Sequence, residues 1–123
     1  MVHDYDGARR TYEAALEQHP SSVGVHNQFC RLLLMEVSGS LVGRFGVTQE
    51  LRHKSFEMAK QICAQAVALD PKDATANMHL GMLYKEALEF DQAIVLLRRA
   101  LESDPDDIVA LTNIASALSR YGG

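Results

Sequence analysis

Two cysteines, five histidines and a cluster of glycines are the residues of this 123-residue chain whose types could do chemistry, and each chemistry requires its own spacing. A loop that cradles phosphate needs GxxxxGK followed by Ser or Thr, between a strand and a helix. Gly39, Gly43 and Gly46, within SGSLVGRFGVT, match neither the spacing nor the setting. A zinc site needs several ligands converging from one face. His3, His19, His26, His53 and His79 form no pair at that spacing with carboxylate or thiolate support. Cys30 and Cys63 are too few for a disulfide framework and too few for zinc without help. They read as small core hydrophobes in a reducing compartment, with a redox role as the other reading. No Ser or Cys stands beside a recognisable base, and the acidic residues fall where helix starts and solvent faces need them. The residues therefore indicate no enzyme, and no catalytic residue, metal or cofactor is expected.

The surrounding composition narrows the partners. With 47% hydrophobic residues and 3 prolines, the chain has the material for one compact unit rather than a disordered tail. Twelve Lys and Arg against 16 Asp and Glu leave a formal charge of −4, and the basic residues are scattered, so nucleic acid is not an expected partner. No run approaches the length of a membrane span, and MVHDYDGARR is polar rather than a prelude to an apolar signal. The expectation is a soluble, cytoplasmic chain without a membrane partner.

The elements that would position any site are phased on the prolines. Pro20, Pro71 and Pro105 each follow an Ala- and Leu-rich stretch: YEAALEQHP, ICAQAVALDP and LRRALESDP. Aligned on the proline, two columns hold only alanine: Ala8, Ala59, Ala93 and Ala15, Ala66, Ala100. Beside them run larger apolar columns: Tyr12, Cys63, Leu97; Tyr5, Phe56, Phe90; and Leu16, Val67, Leu101. Spacings of three, four and seven put these residues on one helix face, with small residues where a neighbour must come close. After each proline a second set appears, with Phe29, Leu80, Ile114 and Leu33, Tyr84, Leu118 flanking the small column Cys30, Gly81, Ala115. A ridge with such a notch implies helix packed against helix. The pattern predicts about six helices, over 4–19, 22–37, 49–69, 74–87, 90–103 and 107–120.

These columns resemble the tetratricopeptide repeat family, whose unit is a helix-turn-helix of 34 residues. The likeness is best over residues 74–107, where Leu80-Gly81, Tyr84, Ala93, Ala100 and Pro105 stand at the family's offsets and Asn77 occupies the place usually given to Trp. The resemblance implies an all-α fold of antiparallel helix-turn-helix repeats stacked as a right-handed superhelix. It divides the single domain of 1–123 into a lone second helix (4–19), a repeat with an insertion (23–73), a regular repeat (74–107) and a lone first helix (108–120). Pro20 and Pro71 stand 51 residues apart, which leaves 17 beyond one unit. These fall between the two helices of that repeat, as a loop from Ser38 to Thr48 and an added turn over Gln49 to Lys54. Leu41, Val42, Phe45 and Val47 are expected to fold back over apolar surface.

In this family the first helices of successive repeats line a concave groove. The resemblance implies that Asn27, Arg31, Met78, Met82, Lys85, Thr112, Asn113 and Ser116 point into it. Some relatives clamp an acidic C-terminal tail with Lys, Asn and Arg from three consecutive first helices. Here Asn27 and Arg31 stand for the first Lys and Asn, His79 for an Asn, Val109 for a Lys and Asn113 for an Arg, so a multiply acidic tail is disfavoured. The implied function is a non-enzymatic interaction module or scaffold that holds a partner peptide in the groove. Self-assembly through the open terminal helices is the competing reading, driven by Ile114 and Leu118 on one face and Tyr12 and Leu16 on the other. A fragment of a longer scaffold is a third.

Overall fold

A computed structural model of the chain describes residues 5–37 and 48–121. Six α-helices occupy the described residues: α1 (Tyr5–Gln18), α2 (Val23–Val37), α3 (Gln49–Leu69), α4 (Ala74–Glu86), α5 (Phe90–Ser103) and α6 (Ile108–Tyr121). Each lies within about a residue of the span that the apolar columns predict. The expected loop and the fold-back of Leu41, Val42, Phe45 and Val47 lie outside the described residues, Thr48 apart.

Local chemistry fixes the helix ends. Ser22 Oγ accepts from the amide of Val25, Thr48 Oγ1 from that of Leu51 and Asp73 from that of Ala76. Asp107 accepts from both Val109 and Ala110. Each side chain satisfies an amide that the first helical turn leaves without a carbonyl. The prolines follow helices already ended by the Ala66–Asp70 and Ala100–Asp104 backbone bonds. Asn77 explains the missing tryptophan. Its Nδ2 donates to the carbonyls of Pro71 and Asp73, so a buried amide ties the α3–α4 turn from inside.

The turn between α4 and α5 is closed differently. The Leu88 amide bonds back to Lys85 and the Glu89 amide to Tyr84, the pair of bonds that ends many helices on a left-handed residue. Leu88 fills that position with φ 64°.

Consecutive helices pack pairwise along the chain, and α2 also touches α4, as α4 touches α6. The second helices α1, α3 and α5 make no such contacts with one another. First helices therefore form the closely packed layer and second helices the splayed one, and the stack curves with α2, α4 and α6 inside. The alanine columns explain how the layers meet: Ala59, Ala66, Ala93 and Ala100 are fully buried. So is the column between them, Cys63 and Leu97. Gly81 faces Leu97 so closely that a Cβ added to it would lie 2.9 Å from Leu97 Cγ.

At the matching point of the preceding repeat, Cys30 meets Cys63, and the two form a disulfide across α2 and α3 with Cα atoms 5.2 Å apart. This corrects the reading of two free core thiols. Both residues are indeed in the core, but the columns they occupy face each other across α2 and α3, within the separation that a disulfide spans. The two thiols consequently give no ground for a reducing compartment.

A second correction concerns Glu36, which is not on a solvent face but fully buried. Ser55 Oγ on α3 donates to one of its oxygens, and Arg9 Nε on α1 lies 3.5 Å from the other, while Arg9 also pairs with Asp6. Burial is the main influence on this carboxyl and raises its pKa above the ordinary range, against the lowering pull of Ser55 and Arg9. Ile114, expected to be exposed, is 9% exposed and joins Ile94, Leu97 and Ala117 in the core of the last three helices. Tyr12 stacks on Phe29 with ring centroids 5.6 Å apart, so α1 docks on α2 through an aromatic pair.

Candidate functional site: the concave groove

The inner layer holds a hollow of about 370 Å³. Arg31, Leu34 and Met35 line it from α2, Met78, His79 and Met82 from α4, and Val109 from α6. Three of the residues expected in the groove, Arg31, Met78 and Met82, thus come together. Met82 rests against the main core and Met78 against the core of the last three helices, so the methionines form a floor continuous with the interior.

The others are placed differently. Asn27 is buried and donates to Asp73 Oδ2, tying α2 to the start of α4. Lys85 Nζ donates to Asn113 Oδ1 at 2.6 Å, and Asn113 Nδ2 returns to the carbonyl of Val109, a brace between α4 and α6. Thr112 is exposed and Ser116 half-buried, and neither lines the hollow. Leu34 and Met35, missed in the sequence, lie three and four residues after Arg31, the spacing that shares a helix face with it. His79 was legible only as a substitution. It is buried, and burial, followed by the Arg31 charge, holds its pKa below the ordinary imidazole value, so near neutrality it adds no charge to the groove. Its Nδ1 has no hydrogen-bond partner.

A second hollow of about 380 Å³ opens on the outer face, between α3 and α5, over Leu80 and Tyr84. Its rim carries both Asp91 and Arg99, whereas the inner hollow carries Arg31 alone as a charged group. Among the described residues no group of three His, Cys, Asp or Glu could hold a metal ion, and no helix is long and apolar enough to cross a membrane.

The tetratricopeptide repeat family profile matches residues 50–119, more than half of the chain. The chain belongs to the tetratricopeptide repeat family. Tetratricopeptide repeats serve in general as non-catalytic protein–protein interaction modules. No curated protein matches the chain.

Proposed function

We propose that the protein is an interaction module that holds a partner peptide in the groove formed by α2, α4 and α6. The supporting observation is the hollow itself: three successive first helices contribute one continuous apolar lining, and Met35 and Val109 stay 45% and 49% exposed at its edge. Thioether side chains adapt to differently shaped partners. Asn27, Lys85 and Asn113 act in this reading as braces that hold the three helices side by side, while Arg31, Met78 and Met82 meet the ligand. Affinity capture from a cell extract tests it, with Met35→Glu and Val109→Glu as controls. Partners retained by the parent should be lost by both variants at unchanged melting temperature; partners that survive both changes would remove the groove from recognition.

A second reading, self-association through the terminal helices, is favoured by one comparison within the chain. Ala115 and Leu118 of α6 are exposed, whereas Cys30, Gly81 and Leu33, in the same columns, are buried beneath a following helix. A helix with the character of α1 would cover them, and Ala8, Tyr12 and Ala15 of α1 are only half-buried where the matching residues of α3 and α5 are fully buried. Such a head-to-tail contact is heterologous and gives chains or rings. Light scattering over a concentration series should show mass rising with concentration; a constant monomer mass would end this reading.

A further inference from the structure

The charges around the groove narrow what it can hold, granted the peptide-binding reading above. Asp73 is engaged by the Ala76 amide and by Asn27, and Lys85 is engaged by Asn113. Arg31 is exposed and forms no ion pair with any acid among the described residues. Beside it lie Leu34, Met35, Met78, Met82 and Val109. Arg31 is thus the cation that lines the apolar floor, with no acid among the described residues paired to it, on a chain whose net charge is −4.

We propose that the groove selects a peptide segment in which a large apolar side chain has an Asp or Glu within two positions, the apolar group seated on the methionine floor and the carboxylate meeting Arg31. A guanidinium presents donors in a fork that fits a carboxylate. A chain-terminal carboxylate fits less well. Asn27 and Asn113 are buried and donate to Asp73 and Val109, and neither they nor Lys85 line the hollow, whereas an acidic side chain on its own flexible stem can reach a single arginine. The thioethers set a loose requirement on the apolar partner, so Leu, Ile, Met and Phe all serve.

The experiment pans a random linear dodecapeptide library, fused to its carrier at the peptide C-terminus, against the intact chain and against Arg31→Glu. On the parent, selected sequences should be enriched in an apolar residue with an acid within two positions, by about two- to fivefold over the same apolar residue with Gln or Asn there, the discrimination that a solvent-facing ion pair supports. On Arg31→Glu the acid should give way to Lys or Arg while the apolar preference stays. Apolar enrichment without an acid preference, or an acid preference that survives Arg31→Glu, would overturn the proposal and leave the groove intact as a binding site. No enrichment on the parent would overturn the groove reading together with it.

Discussion

Leu88 shows how a single residue can oppose the fold it belongs to. A left-handed backbone costs a residue with a Cβ about 1–2 kcal/mol, and Leu88, 60% exposed, recovers little of this by packing. Leu88→Gly should therefore stabilise the chain by roughly 0.5–1 kcal/mol, the relieved strain less the backbone entropy that glycine loses on folding. A denaturant titration in which the midpoint falls would contradict this account of the α4–α5 turn. Glu36 carries a different tension. Because burial raises its pKa in the folded state, the folded chain takes up this proton more readily than the unfolded one. Its contribution is most favourable in acid and is lost as pH rises through the raised pKa. Glu36→Gln, which keeps an acceptor for Ser55, should melt higher than the parent at neutral pH, with the gap narrowing as the pH falls. A gap that widens on acidification would show that the Arg9 pairing outweighs burial.

At the scale of helices, the closest contact between the two layers recurs once per repeat and is solved in two ways. Gly81 against Leu97 leaves no room for a methyl group, since an added Cβ would also stand 3.2 Å from the Ala93 carbonyl oxygen. Gly81→Ala should cost about 1–3 kcal/mol in a denaturant titration, as overpacked sites do, even though alanine favours the helix. An unchanged midpoint would mean that α5 shifts freely. Cys30 and Cys63 solve the same contact with a covalent bond. Reducing it, or Cys30→Ala with Cys63→Ala, should lower stability by about 3–4 kcal/mol through the longer free loop of the unfolded chain. The elements were legible in the sequence because small residues must repeat where helices touch, and prolines must fall between them. The disulfide was not: column position says that two residues meet, but two cysteines in a core look like any other small pair. Nor was Glu36, since a carboxyl in a helix reads as solvent-facing until Ser55 and Arg9 are placed around it from helices on either side in the chain. In the groove, Arg31, Met78 and Met82 followed from their offsets in the repeat. Asn27 carries the same offset as Met78, and only three-dimensional neighbours show that it bonds Asp73, as Lys85 and Asn113 bond each other.

Among the described residues, contacts run between consecutive helices and between neighbouring first helices, so no helix is held by a helix more distant in the chain. Stability in such a stack is a sum over neighbours, and the ends open at lower cost than the middle. Pulled by its two termini, the protein should behave as a row of catches released one after another, without a single rupture. Peeling from the C-terminal side would free α6, then α5, then α4. At Cys63 the tether stops yielding. The bridge to Cys30 closes off a segment of sequence separation 33, which withholds about 110 Å of extension at roughly 3.3–3.6 Å per residue. Single-molecule force spectroscopy should show that length missing from the fully stretched chain and regained after a reductant is added. Equal extensions before and after would mean that the two sulfurs are not joined. The bond that joins α2 to α3 is thus also a stop on the molecule's travel: it divides the chain into a length that can be drawn out and a length that cannot.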